Sequence, residues 1–267
     1  MSIEALAELL RGRRVLALTG AGCSTESGIP DYRGEGRRAR PATPVQYQAF
    51  TKDPAVRRRY WARSLAGWAR FSRAEPNAAH VALAELERAG RWAGLITQNV
   101  DRLHHAAGSR DVIELHGALE RVRCLGCGAL EPRVALQARL LAANPGWEPA
   151  PGAAMPDGDA ELEGEISVVD CVACGGVLKP DVVFFGENVP RATVDEAYAK
   201  VSSAEALLVV GSSLTVFSGY RFVRRAAERG IPIAIVNLGP TRADHLATQK
   251  LEARAGQTLP RLVQSLT

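Results

Sequence analysis

The sequence predicts an α/β fold built on a doubly wound parallel sheet, with a small second module inserted into it. Three observations predict it. Short apolar runs at 15–19, 92–97, 112–115, 206–210 and 231–236 each end at small or polar residues, as buried parallel strands do where their carboxyl ends open onto loops. Helical patterns at 77–89, 191–202 and 219–229 alternate with these runs, as βαβ crossovers require. Two Cys-x-x-Cys pairs, Cys124/Cys127 and Cys171/Cys174, interrupt the alternation and mark the inserted module.

The 267 residues, 46% hydrophobic and 23% charged, suit one globular unit or a large domain carrying a small one. No apolar run of about 18 residues exists, so no transmembrane helix is expected. Ser2 to Leu10 carries acids early and has no signal-peptide character, which predicts a cytoplasmic protein. The net charge of +4 comes almost wholly from arginine, the lysines being Lys52, Lys179, Lys200 and Lys250. That bias is compositional, and no direct nucleic-acid partner is expected. The clusters Arg37, Arg38, Arg40 and Arg57, Arg58, Arg59 read as solvated surface.

Ile3, Leu6, Leu9 and Leu10 fall at helical spacing, and Gly12 ends that element. The strand Val15–Thr19 then hands over to Gly20-Ala21-Gly22-Cys23-Ser24-Thr25-Glu26-Ser27-Gly28-Ile29-Pro30-Asp31-Tyr32-Arg33-Gly34. Glycines at a strand's carboxyl end let backbone N–H groups approach a phosphate, and Ser24 and Thr25 add hydroxyls. The ordinary dinucleotide fingerprint needs a third glycine where Thr25 stands, so it fails here, and the glycines alone leave a nucleotide site and a ligand-free strand-to-loop turn both open. Gly28 to Arg33 adds a rigid proline turn, an acid, an aromatic and an arginine, more chemistry than a turn needs.

Pro44 to Phe71 reads as a helical lid with starts at Thr43-Pro44 and Asp53-Pro54. Asn77 begins an amphipathic helix closed by Gly90. Gln98, Asn99 and Asp101 follow the strand 92–97, where they can face the same crevice as the glycine loop. His116, at the end of the strand 112–115 and beside Gly117, is a candidate general base, histidine having an ordinary pKa near 6.5. His104 and His105 read as structural.

Four cysteines in two knuckles, without a secretory signal, favour Zn²⁺ held by four thiolates over disulfides, a redox pair or inert thiols. With all four positions filled by sulfur, the metal is a structural staple. A helix at 133–143 and a Pro-, Gly- and acid-rich excursion at 149–165 fill the interval between the knuckles. Cys23 lies outside the set and reads as packing. Val182-Val183-Phe184-Phe185 predicts a strand ending in Gly186-Glu187. Gly211-Ser212-Ser213 ends another strand in residues suited to phosphate or ribose contacts, and Asn237-Leu238-Gly239 ends the strand 231–236. A last helix is expected near 259–266.

These segments carry a resemblance. The stretch Gly20 to Gly34, Thr97 to His104, Glu114 to Gly117, the cysteine knuckles, Lys179 to Glu187 and Gly211 to Leu214 resemble, in order, the signature segments of the sirtuins. The likeness runs from about residue 4 to the end, and its wording resembles the class II branch, which includes a mitochondrial sirtuin and bacterial relatives. It implies a Rossmann-like NAD-binding domain formed by residues 1–40, 72–120 and 177–267, a helical lid at 41–71 and a zinc-binding module at 121–176.

The resemblance also implies the chemistry of an NAD-dependent protein-lysine deacylase, which consumes NAD⁺ as co-substrate. An acyl-lysine carbonyl oxygen attacks the ribose C1′ as nicotinamide leaves; His116 then deprotonates a ribose hydroxyl, and the acyl group ends on ADP-ribose. Asn99, Val100 and Asp101 would hold the nicotinamide end and Gln98 the ribose. Gly20, Ala21, Gly22, Ser24, Thr25, Glu26, Ile29, Pro30 and Asp31 would line the cofactor, with Tyr32 shielding C1′ and Arg33 meeting the phosphates. Gly211, Ser212, Ser213, Asn237, Leu238, Gly239 and Ala255 would serve the same nucleotide. An acyl-lysine peptide would add as a strand along Phe185, Gly186 and Glu187 and along Val216, Phe217 and Ser218. Tyr60 and Arg63 have the spacing of an acidic-acyl clamp, although an amphipathic lid helix is the preferred reading. Mono-ADP-ribosyl transfer to protein is the second enzymatic reading, a non-catalytic zinc ribbon the third; the oligomeric state is left open.

Overall fold

The computed structural model describes residues 2–31, 44–147 and 166–267. In chain order its elements are α1 (Ile3–Leu10), β1 (Val15–Thr19), α2 (Tyr47–Lys52), α3 (Pro54–Phe71), α4 (Ala78–Arg88), β2 (Trp92–Thr97), α5 (Leu103–Ala106), β3 (Val112–Glu114), β4 (Gly117–Cys124) and β5 (Leu130–Pro132). There follow α6 (Arg133–Ala143), β6 (Leu178–Val182), α7 (Arg191–Ser203), β7 (Ala206–Val210), α8 (Phe217–Glu228), β8 (Ile233–Val236), β9 (Gln249–Leu251) and α9 (Ala255–Gln264). The chain divides into two compact units, one of residues 1–34, 75–115 and 189–267, the other of 35–74 and 116–188.

The first unit carries a six-stranded sheet in the order β3-β2-β1-β7-β8-β9, every pairing parallel. All five residues of β1 and of β7 are buried, as central strands covered on both faces must be. One face packs on α1, α4 and α9 through Leu6, Leu10, Leu83, Leu86, Leu259 and Leu262. The other packs on α7 and α8 through Val201, Phe222 and Val223. The strand order reverses between β1 and β7. That reversal opens the crevice in which doubly wound sheets bind ligands.

Local chemistry explains why the helices begin where they do. Asn77 caps α4 by accepting from the Ala79 N–H at 2.9 Å, and His80 Nδ1 reaches back to accept from the Asn77 N–H at 3.2 Å, closing a capping box. In α3, Asp53 is the cap and Pro54 the first residue, a position where a missing N–H costs nothing.

The second unit has a three-stranded antiparallel sheet, β5-β4-β6, and an aromatic core of Phe50, Tyr60 and Trp61 with Phe184 packed against it. Two expectations need correction here. The strand foreseen at Val182–Phe185 lies earlier, at Leu178–Val182, and only Phe185 beyond it bridges, to Gln46. Pro180 is tolerated because β6 is an edge strand. Pro44 lies outside any helix, since α2 starts at Tyr47. The excursion 149–165 lies outside the described residues.

Gly211 is where β7 and the glycine loop touch. Its φ is +60°, and a Cβ there would stand 2.3 Å from the Cys23 nitrogen. Gly211→Ala is therefore expected to cost roughly 2–4 kcal/mol, from left-handed backbone strain plus overpacking. A urea titration checks it; an unchanged midpoint would show that the loop yields freely.

Candidate functional site

The glycine loop leaves β1 in two successive 3₁₀ turns, Ala21–Cys23 and Thr25–Ser27. Gly20 and Gly22 lie against the loop after β7, where a Cβ at either would come within 2.9 Å of Ser212 or Gly211. Two strand ends at the switch point are thus locked backbone to backbone. From Gly20 to Asp31 the loop residues named from the sequence fall on this one segment; Tyr32 and Arg33 lie outside the described residues.

Ser24 is the hub. Its hydroxyl donates to Asp101 Oδ2 at 2.7 Å and accepts from Asn99 Nδ2 at 3.0 Å. Asn99 also donates to the Gly20 carbonyl at 3.1 Å, and Asp101 Oδ1 accepts from the Leu103 N–H at 2.9 Å. Burial pushes the Asp101 carboxyl up, against the opposing pull of the Leu103 and Ser24 donors. Gln98 donates to Ser212 Oγ at 2.7 Å. A Cβ on Gly219 would meet its amide at 2.5 Å, so the first turn of α8 is held against Gln98. The structure joins Ser24, Asn99 and Asp101 in one hydrogen-bonded set and Gln98 with Ser212 in another.

Other assignments are more closely engaged than the sequence implies. Glu26 accepts from the Gly256 N–H at 2.7 Å at the first turn of α9, so its carboxylate caps that helix. Asn237 folds onto its own loop, donating to the carbonyls of Leu238 at 2.7 Å and Gly239 at 3.2 Å. Leu238 is exposed, while Ala255 is the buried first residue of α9. Ser213 lies beside Thr215, the two hydroxyls 3.1 Å apart. Among the donors, the tight glycine cradle, the Ser24 and Gln98 hydroxyl-and-amide set and the first turns of α8 and α9 fit a dinucleotide.

His80 is the residue sequence reasoning missed. It is fully buried, 3.4 Å from Ser24 Oγ through Nε2, and burial lowers its pKa to about 4. The readable signal was its place three residues after the Asn77 cap. A folded-state pKa below the unfolded 6.5 means that the stability is complete above pH 6.5 and is lost as pH falls toward 4. We expect that loss to reach about 3 kcal/mol. His80→Gln is expected to shed about one proton from the pH dependence of unfolding in this window; superimposable profiles would disprove it.

In the second unit the four cysteine sulfurs lie within 4.8 Å of one another. Cys124 and Cys174 are 3.5 Å apart and Cys127 and Cys171 3.8 Å, against about 3.8 Å between sulfurs around tetrahedral zinc with bonds near 2.3 Å. The N–H groups of Cys127 and Gly126 favour the Cys124 thiolate, drawing its pKa down to about 6. The set fits Zn²⁺.

His116 is pinned through its backbone, the carbonyl accepting from the Val183 N–H at 2.9 Å. Gly117, at φ +78°, lies so close to the Asp181 carbonyl that no side chain fits there. Phe185 and Gly186 are tied to α2, by the Tyr47 N–H to the Phe185 carbonyl at 2.9 Å and by Gln48 to the Gly186 carbonyl at 2.9 Å. The Glu187 carboxylate turns inward to the buried Lys179 at 3.0 Å and to the Phe184 N–H at 2.9 Å. Val216 is extended, whereas Phe217 and Ser218 form the first turn of α8, so only Val216 offers the extended backbone expected of a pairing strand. The Tyr60 ring packs edge-on among Phe50, Trp61 and Phe184.

Known proteins resemble this chain in sequence and in fold. Residues 20–218 match the Sir2 family. An NAD-dependent protein deacetylase of Xanthomonas axonopodis pv. citri is 57% identical, covering 93% of this chain and 86% of its own. NAD-dependent protein deacetylase 1 of Streptomyces coelicolor is 55% identical over 98% of this chain and 89% of its own. A solved Sir2 with p53 peptide and NAD⁺ superposes with a TM-score of 0.80 at 32% identity, over 99% of this chain and 98% of that one. On its sequence, its glycine-loop crevice and its four-cysteine module alike, the chain belongs to the Sir2 family.

Proposed function

We propose that this chain is an NAD-dependent protein-lysine deacylase, transferring the acyl group of an acyl-lysine side chain to ADP-ribose with release of nicotinamide. The Ser24–Asn99–Asp101 network at the sheet's switch point carries the reading. It presents a buried amide and a half-buried carboxylate, aligned by one hydroxyl, where a nicotinamide ring and its carboxamide would need matched donors and acceptors. NAD supplies an activated ribose carbon. The residues do the rest: the glycine loop and Ser212 hold the dinucleotide, Asn99 and Asp101 orient its nicotinamide end, and His116 takes a proton from a ribose hydroxyl. Zinc on the four cysteines holds the second unit together. Segments 185–187 and 216–218 would meet the acyl-lysine peptide.

The relatives named as deacetylases support the activity, and the runs Arg59-Tyr60-Trp61-Ala62-Arg63 and Lys179 to Glu187 support the class II branch. The test is nicotinamide release from NAD by zinc-replete protein offered a panel of acyl-lysine peptides. Release that depends on a peptide and matches loss of its acyl group is the expected result. NAD consumption without peptide, with label moving onto protein, would replace this reading by mono-ADP-ribosyl transfer.

A further inference from the structure

Behind the nucleotide loop, three side chains that the proposed reaction does not use converge in the first unit. Cys23, His80 and His104 are all at most 1% exposed. Each offers an atom within 4.8 Å of the others. They come from three separate elements: the first 3₁₀ turn, the first turn of α4, and α5.

The hydrogen bonding around His104 leaves one lone pair unused. Thr19 spends its single hydroxyl proton on Thr97 Oγ1 at 2.9 Å, so its contact with His104 Nε2, also 2.9 Å, is a bond in which the ring N–H donates. A neutral imidazole protonated at Nε2 has a bare Nδ1. That nitrogen is buried and has no hydrogen-bond partner among the described residues, a state that costs free energy unless something fills it. The two imidazole rings are 4.7 Å apart. A thiol completes the set, walled by Ala79, Ala82 and Leu83.

We propose that Cys23, His80 and His104 form a second metal site, which takes a thiophilic divalent cation of the zinc class. One thiolate and two imidazoles are a donor set for such an ion, and an apolar wall excludes the water that would compete for it. Binding displaces the Cys23 thiol proton to solvent. Coordination by His80 through Nε2 also moves that ring's proton to Nδ1, which gives up the bond from Asn77 and the contact with Ser24. Metal at this site therefore loosens the start of α4 and withdraws one neighbour from the Ser24 hub, so occupancy and NAD binding oppose each other. The two sites in one chain differ in kind, a closed four-thiolate staple and a mixed-donor site wired to the nucleotide loop.

The experiment counts zinc. Because the trio is buried, protein is refolded from denaturant in excess zinc and dialysed before metal analysis, and the wild-type chain is expected to retain two zinc ions. Cys23→Ala and Cys23→Val should each retain one, with the four-cysteine zinc and an intact melting transition certifying the fold; whichever variant folds is decisive. Cobalt loading should add a single-thiolate charge-transfer band that these variants lack. NAD should bind the two-zinc wild type about tenfold more weakly than the one-zinc form, and the variants equally at either zinc concentration. One zinc in the refolded wild type, or two in a folded Cys23 variant, would overturn the site. Two zinc ions with unchanged NAD affinity would overturn the coupling.

Discussion

His116→Ala is expected to lower acyl transfer by about 10²–10⁴-fold, the range a positioned general base contributes, while lowering nicotinamide exchange much less. The asymmetry follows from where the base acts. In the proposed reaction nicotinamide leaves as the acyl oxygen attacks C1′, and the proton that His116 would remove belongs to the later attack by a ribose hydroxyl. The backbone around His116 is fixed at several points. Leu115 donates to the Thr97 carbonyl at 2.9 Å, fixing the end of β3, and the His116 carbonyl is taken by Val183. Gly117 then turns at φ +78° against the Asp181 carbonyl. Labelled nicotinamide exchange into NAD, measured beside acyl-ADP-ribose formation on one peptide, separates the steps. Equal losses in both would make His116 a binding or structural residue.

Zinc removal carries the second large effect. A chelator, or Cys171→Ser, is expected to unfold the second unit and abolish peptide-dependent turnover. Structural zinc contributes on the order of 10–16 kcal/mol of binding free energy, as much as a whole domain's usual margin of about 5–15 kcal/mol. Cys124 and Cys171 are also members of that unit's buried core, beside Val122, Leu136, Leu140 and Leu178. Loss of the ion leaves thiolates repelling one another against that core. Hydrogen exchange on the stripped protein should show fast amides in β4, β5, β6 and α6, with slow amides kept in β1 and β7. Uniform protection throughout would mean that the cysteines are ornamental to the fold.

Sequence patterns disclosed the parallel sheet because its strands are buried on both faces and so are written as unbroken apolar runs; β1 and β7 lie where those runs stand. The antiparallel module was harder to read. Strand β6 contains Lys179, a charge that the chain buries by giving it Glu187 as a partner, and no hydrophobic pattern records a partner eight residues on. Strand β9 is half-buried at every position and gives neither an apolar run nor an alternation. At the crevice, residue types were legible and their pairings were not. Asn99 and Asp101 stood out as polar groups after a strand, but Ser24 as the atom joining them depends on β1 and β2 lying side by side. His80 was hidden for the same reason.

The first unit is assembled from three separated stretches of chain, and this imposes an order on its birth at the ribosome. Strand β1, the hinge of the sheet, is complete by residue 19, yet the neighbour on its other side, β7, begins only at residue 206. At about 5–20 residues per second, that strand waits on the order of 10–40 s for its partner. The second unit is complete by residue 188, within that wait. The newborn chain thus carries a finished metal module while its main sheet still exposes an apolar edge, the interval in which a chaperone would have most to do.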